Sequence, residues 1–368
     1  DFYIDGMRDD VQYYRPLYNL AQVEVLRGPN ALLFGRGGTG GVLNRVTKKA
    51  QLDQGFTTSQ LSVDRLGELG GQIDHNRVIS DSVALRINAM VERLDNHRDF
   101  YDGDRVGVNP TLHIESGDSV IDLSYEYIDH QRFIDRGIPT GADGRPVEAF
   151  EKIVFGDPDV NTTALKAHLW RASVQHSFSD TLKGNIAAFY GDYDKLYQNF
   201  YVAAYDQAQT PDEVTLDGYV DTTQRQNSIL SANLVGESEF AGTQHTLLAG
   251  VEFIDTSSDQ DRWNTFWDTT DDDKETFSLT RNLGLEGGVG LNALGNVATN
   301  SFDRDINDDT DVSIDVTSVY LQDELTLTDY LQVVVGLRYD SFDIKVFNVP
   351  ADEPRSRKDS EVSPRFGV

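Results

Sequence analysis

Every second connection between the alternating segments of this chain is short, and the connections in between are long. The segments repeat apolar and polar residues with a period of two, the pattern of strands with one apolar face. Val83, Leu85, Ile87, Ala89 and Val91 share one face, while Arg86 and Asn88 take the other. Ile121, Leu123, Tyr125 and Tyr127 oppose Asp122, Ser124 and Glu126, and Trp170, Ala172, Val174 and Phe178 oppose Arg171, Ser173, Gln175 and Ser177. The pattern predicts strands over 56–64, 69–78, 82–93, 105–114, 119–130, 166–178, 181–193, 218–235, 243–255, 312–326, 330–345 and 359–368. Tight turns such as Ser116-Gly117-Asp118 and Ser179-Asp180 alternate with stretches of about 131–165, 194–217, 256–311 and 346–358. A sandwich has no reason to sort its loops by parity. A transmembrane β-barrel does, with short turns at one end and long loops at the other. The apolar strand face is then expected to meet lipid and the polar face to line a lumen.

No apolar run approaches the roughly 20 residues of a membrane helix. Cysteine is absent, which removes disulfides, thiolate metal sites and Cys nucleophiles. With 61 acidic and 32 basic side chains the formal charge is −29, which opposes general affinity for nucleic acid. The acid surplus concentrates in 256–311, which holds eleven aspartates and two glutamates against four Lys or Arg. Within it, 303–311 resembles the start of a calcium loop but lacks the Gly at its sixth position and the Glu at its twelfth. The seven histidines are scattered without metal-ligand spacing, so no metal site and no cofactor is expected. No nucleophile–base constellation points to an enzyme. An open sheet of twelve strands leaves two edges in lipid, so either the barrel closes at twelve or strands lie outside this chain. The chain opens without a signal peptide and stops mid-strand at Arg365-Phe366-Gly367-Val368, which reads as a piece of a longer protein.

Residues 1–50 differ in texture. Six of the 31 glycines fall between positions 28 and 41, in a run that reads as strand, helical turn, glycine loop, strand. Pro29 suits a first helical position and Gly35 a left-handed stop. A phosphate loop fails, because Gly40-Gly41-Val42 stands where Gly-Lys-Ser/Thr is required. The stretch VEVLRGPNALLFGRGGTGGVLNRVTKKA, preceded by FYIDGMRDD, resembles the plug domain of TonB-dependent outer-membrane receptors, of the ferric-siderophore type in particular. DRGIPTGADGRPV (135–147), FGDPDVN (155–161), SVYLQDELTLTDYLQVVVGLRYDSFD (318–343) and VSPRFGV (362–368) carry the resemblance through the rest. It implies an all-β transmembrane β-barrel, about twelve antiparallel strands of a 22-stranded barrel, with part of a small α+β plug. Residues 1–50 would be the C-terminal part of the plug, and 51–368 the N-terminal half of the barrel.

The resemblance implies uptake of a ferric siderophore across the bacterial outer membrane, energised through TonB, with iron carried only as the substrate chelate. Receptors for haem, cobalamin or a glycan, or a mainly signalling receptor, are the alternatives. Outer-membrane lipid and lipopolysaccharide are the expected surroundings, and the whole protein is expected to be monomeric. In the plug, Tyr13, Tyr14 and Arg15 are candidates for ligand contact: aromatic faces stack on chelate arms and an Arg offsets anionic charge. The tyrosines could equally pack the plug against the barrel wall. In the barrel the candidates are Arg132, Arg136, Tyr197, Tyr201, Trp263 and Trp267. Tyr190 and Tyr193 read as interface girdle residues. Arg27, Gly28, Pro29, Gly35, Gly37, Gly38, Gly40 and Gly41 read as plug scaffold. Glu24, Arg27 and Arg45 are expected to pair with the inner barrel wall, and Arg86, Arg171 and Arg338 to face the lumen.

Overall fold

The computed structural model describes residues 1–27, 41–240, 242–279 and 289–368. Most of the glycine run therefore lies outside the described residues, including Gly28, Pro29, Gly35, Gly37, Gly38 and Gly40.

Two sheets build the molecule. The first holds β1 (Phe2–Ile4), β2 (Met7–Arg8), β3 (Leu20–Leu26) and β4 (Val42–Thr47), in the order β2-β1-β4-β3. Asp5-Gly6 joins β1 to β2 with both φ values positive, +50° and +80°, the two-residue turn that an Asp-Gly pair favours. The Asp5 carboxylate then accepts hydrogen bonds from the Thr47 backbone N–H at 2.8 Å and its hydroxyl at 2.7 Å, fixing the turn to β4. At Gly41 a Cβ would stand 2.7 Å from the Leu26 carbonyl oxygen, and its φ of +111° excludes other residues without strain.

The second sheet is a run of twelve long antiparallel strands, neighbours in sequence order: β5 (Phe56–Val63), β6 (Leu69–Ser80), β7 (Val83–Asp95), β8 (Asp102–Ser116), β9 (Ser119–Phe133), β10 (Thr162–Ser179), β11 (Leu182–Ala204), β12 (Glu213–Phe240), β13 (Thr243–Trp267), β16 (Val297–Thr328), β17 (Leu331–Asn348) and β18 (Glu353–Gly367). Two short strands, β14 (Glu275–Ser278) and β15 (Val289–Leu291), pair with β12 and β16 in the long connection. All twelve expected strands are present. The tight turns shrink to two residues at 81–82, 117–118, 180–181 and 329–330.

The strands outrun their expected ends on the long-loop side. β13 continues to Trp267 and β16 begins at Val297, so about half of the expected loop 256–311 is hairpin. At roughly 3.3 Å per residue, β16 spans on the order of 100 Å, far more than an apolar band about 25 Å tall. Apolar alternation stops where lipid stops, whereas backbone pairing does not. The calcium-like stretch 303–311 lies inside β16 as extended strand, which removes the loop such a site needs.

Outward-facing Leu123, Trp170, Val174, Ile186, Leu230, Phe253, Leu321 and Leu337 are exposed, as a lipid-facing surface must be. The inner face departs from the expectation of a purely polar lumen. Ile128, Leu165, Leu169, Phe189, Tyr193, Ile229, Ile254 and Val316 are buried against Ile4, Met7 and Val11 of the first sheet and its loop. The small sheet thus borrows its hydrophobic core from the barrel wall. Tyr193 belongs to this core, not to the girdle. It stands three residues from Tyr190, and an odd offset in a strand reverses the face.

A separate apolar cluster forms in the long-loop layer, where Phe155, Phe200, Val214, Leu216, Phe277 and Ala298 surround a fully buried Trp267. Trp267→Ala is expected to cost about 3–5 kcal/mol of local stability. Limited proteolysis of the full-length protein should then nick the 268–274 connection faster while the lipid-band strands stay protected. An unchanged cleavage rate would show that Trp267 does not hold this layer together.

Candidate ligand vestibule above the plug

The loop between β2 and β3 rises into the barrel and places Tyr13 and Tyr14 at the floor of a cavity of about 1070 Å³. Strand parity supplies the walls. His130 and Arg132 come from β9, Leu165 from β10, Lys195 and Tyr197 from β11, Tyr219 and Asp221 from β12, and Arg262 from β13. Arg136 enters from the connection after β9. Five expected residues therefore meet here: Tyr13, Tyr14, Arg132, Arg136 and Tyr197.

Tyr14 is half exposed and lies under the Arg105 guanidinium, 4.1 Å from its ring centre, and 5.7 Å from the His130 ring. Tyr197 and Tyr219 stack with centroids 6.0 Å apart and planes within 19°. Arg136 donates to the Tyr219 hydroxyl at 2.9 Å and to Asn199 Oδ1 at 3.1 Å. Arg262 donates two bonds to Asp221, at 2.5 and 2.6 Å, and covers the Tyr219 ring. Tyr201 does not line the cavity. It sits behind Tyr219 with its hydroxyl on Asp217, 3.1 Å away, and carries Arg136 on its ring at 4.9 Å.

Arg15 points away from the cavity. It donates to Asp9 at 3.1 Å and to the backbone carbonyls of Asp9, Val11 and Tyr13. Its guanidinium also lies between the rings of Phe2 and Tyr13. Three backbone acceptors and a carboxylate leave it a structural side chain of the plug. Trp263 faces away on β13 and is not among the lining residues, and Trp267 is enclosed in the loop-layer core described above.

Beneath the floor lies a polar hub that no sequence pattern announced. Asp9, 1% exposed, accepts hydrogen bonds from Arg45 (2.6 Å), Arg15 (3.1 Å) and the Tyr13 hydroxyl (2.8 Å) on one oxygen, and from Tyr193 of β11 (3.1 Å) on the other. Burial, with the Asp9 charge second, pushes the Tyr13 phenol well above its ordinary range, so it stays protonated and donating. Arg45 was expected to reach the barrel wall and instead pairs inside the plug, because Asp9 is nearer. Glu24 likewise bonds within its own sheet, accepting from Asn44 and Gln22, while Arg27 is exposed after β3. Plug-to-barrel pairs come from other residues: Asp10 with Arg225 (2.7 Å), Asp5 with Arg171 (3.4 Å) and Lys49 with Asp122 (2.6 Å). Arg86 pairs with Asp74 and donates to the Lys49 carbonyl, and Arg338 pairs with Glu252 and Asp340. Of the acidic residues, Asp259, Asp261 and Asp309 bring carboxylate oxygens within 4.8 Å across β13 and β16.

The chain matches two family models, the TonB-dependent receptor plug domain over residues 1–42 and the TonB dependent receptor-like β-barrel over 107–368. It is similar to the catecholate siderophore receptor Fiu of Escherichia coli K12, 35% identical over 140 residues that cover 38% of this chain and 18% of Fiu. It is also similar to the TonB-dependent siderophore receptor PiuA of Acinetobacter baumannii, 24% identical over 93% of this chain and 47% of that protein. The matched segments span less than half of these relatives' lengths. The crystal structure of PiuA aligns over 99% of this chain and 53% of its own with a TM-score of 0.80 at 19% identity, and the open form of Fiu aligns with a TM-score of 0.73 at 20%. Plug sheet, sequential antiparallel barrel and family models agree: this chain belongs to the TonB-dependent receptor family, whose barrels lie in the outer membrane.

Proposed function

We propose that the receptor carrying this chain captures a ferric siderophore in the vestibule and imports it with energy delivered through TonB. In this reading, residues 1–50 serve as plug and 51–368 as barrel. One observation carries it: the cavity floor is the plug itself, so whatever binds there rests on the element that has to move for import. Exposed Tyr14 and the Tyr197–Tyr219 stack offer aromatic faces to planar chelate arms, and the volume suits a ligand larger than a simple ion. The siderophore receptors named above, similar in sequence, support the ligand class.

Fluorescence titration of the full-length receptor with ferric catecholates, ferric hydroxamates, haem and cobalamin tests the reading. At least one ferric chelate should bind. Tyr14→Ala should weaken it about tenfold, the loss of one aromatic contact and its packing, without lowering barrel stability. Binding of haem or cobalamin alone would overturn the siderophore assignment, and unchanged affinity in Tyr14→Ala would make Tyr14 a packing residue.

A further inference from the structure

We infer that residues 48–55, which join the last plug strand to the first barrel strand, are a fixed anchor, clamped to β6 and β7 while the rest of the plug moves. The inference rests on the TonB-driven import proposed above and adds which part of the plug stays in place. The segment runs from the end of β4 at Thr47 to the start of β5 at Phe56 and forms no strand or helix. Gln51, Asp53, Gln54 and Gly55 are exposed. Connections of this kind are ordinarily more mobile than the elements they join. This one is gripped by buried side chains. Asn76, 1% exposed, accepts from the Gln51 N–H at 2.9 Å and donates to the carbonyls of Gln51 at 2.9 Å and Gln54 at 2.6 Å. Arg86 donates to the Lys49 carbonyl at 2.9 Å and is itself held by two bonds of 2.7 Å to Asp74, a fork that fixes its orientation. The Lys48 ammonium reaches the same Asp74 at 3.1 Å and Asn88 at 3.3 Å. Four main-chain groups between Lys49 and Gln54 thus end on side chains of two neighbouring wall strands.

The front of the plug is held differently. Ile4, Met7 and Val11 meet the wall through apolar contacts, which have no direction, and Asp9 and Asp10 reach it side chain to side chain, at Tyr193 and Arg225. Such contacts can slide or change partners. Hydrogen bonds to the main chain fix position residue by residue. The length of the segment decides what the clamp does. The eight residues between Thr47 and Phe56, if free, would span up to roughly 28 Å. Asn76 and Arg86 flank the tight turn at 81–82, so the clamp sits toward the short-turn mouth of the barrel, the periplasmic one. With the segment released, β4 could follow a pull out through that mouth. With it clamped, β4 keeps to the wall, and its pairing with β1 and β3 keeps the small sheet there too. The plug then rearranges inside the barrel and does not leave it.

The test uses the full-length receptor in cells with and without TonB, fed radiolabelled ferric tris-catecholate or ferric tris-hydroxamate, whichever the wild type imports. In a Gln51→Cys, Asn76→Cys variant, a short thiol-reactive bridge replaces the hydrogen bonds of the clamp. Uptake through the bridged receptor should stay within about twofold of wild type, because the anchor does not have to open. In an Asn76→Ala, Arg86→Gln variant the plug should come out when pulled. Entry of a labelled glycopeptide antibiotic, too large for porins, should then rise about fivefold or more, the factor for one net hydrogen bond lost, and only where TonB is present. A bridge that blocks uptake would show that the segment has to move, and would overturn the inference. So would antibiotic entry that is unchanged, or that rises equally without TonB, which marks a damaged barrel and not a released plug. If the wild type imported neither chelate, the import reading itself would fall, and this inference with it.

Discussion

Asp9→Ala is expected to release the plug from the barrel wall at a cost of about 3–5 kcal/mol, the range for a buried pair that loses one partner. The magnitude comes from what stays behind. Arg45 keeps a side chain only 4% exposed and loses its one ion-pair partner among the described residues, retaining the Tyr13 hydroxyl at 2.9 Å. Its Nε already lacks a partner among the described residues. Arg15 suffers less, because three backbone carbonyls still accept from it. Tyr193 on β11 loses the acceptor through which the barrel holds the hub, so the damage crosses from one sheet to the other. Urea titration of the full-length receptor, with protease nicking of the plug as readout, should show the plug opening well before the barrel. A double variant, Asp9→Ala with Arg45→Met, should recover part of the loss by removing the stranded charge. A loss below about 1 kcal/mol in Asp9→Ala would mean the plug is held by its apolar contacts and its other ion pairs with the wall, not by the hub.

The hub also explains why Tyr13 and Tyr14, adjacent in sequence, do different work. Tyr14 is half exposed to the cavity, whereas Tyr13 gives the cavity one side of its ring and commits its hydroxyl to Asp9. The packing expectation describes Tyr13, while Tyr14 is the one of the pair left open to the cavity, where the proposed reading puts the ligand.

Strand existence and order were legible because an apolar face repeats every second residue and turns are local. All twelve strands follow from that. Their upper ends were not legible. Above the lipid, polar residues fill both faces, as in Asp259 to Asp261 opposite Asp309 to Asp311, and no hydrophobic contrast remains to mark a strand. The same limit governed the site. Arg132, Arg136 and Tyr197 could be named because they follow recognisable strand ends in a resembling sequence. Lys195 and Tyr219 needed the register, which sets Tyr197 opposite Asp221 and Tyr219 opposite Asn199 across β11 and β12. Trp263 and Trp267 were drawn in by residue type alone. Parity turns the first outward, and an apolar loop layer with its own core encloses the second.

The largest effect is expected from the sheet's two ends. Among the described residues β5 and β18 each pair on one side only, so the wall they form does not close. β18 offers a fifteen-residue edge and β5 an eight-residue one. Pairing the two to close at twelve strands would leave about half of β18 without a partner. The wall would also have to contract around a plug whose core residues already touch it from β9 to β16. In hydrocarbon each unsatisfied backbone group costs several kcal/mol, and even a handful exceeds the whole stability of a typical domain. The 368 residues alone, refolded with lipid vesicles, should therefore give no heat-resistant, protease-protected monomer, whereas the full-length receptor should. Edge strands that cannot find lipid-compatible partners pair with other copies, so the isolated chain should instead form larger, concentration-dependent species. A protected monomer of this chain would show that β5 and β18 do meet, and the barrel would then be twelve-stranded.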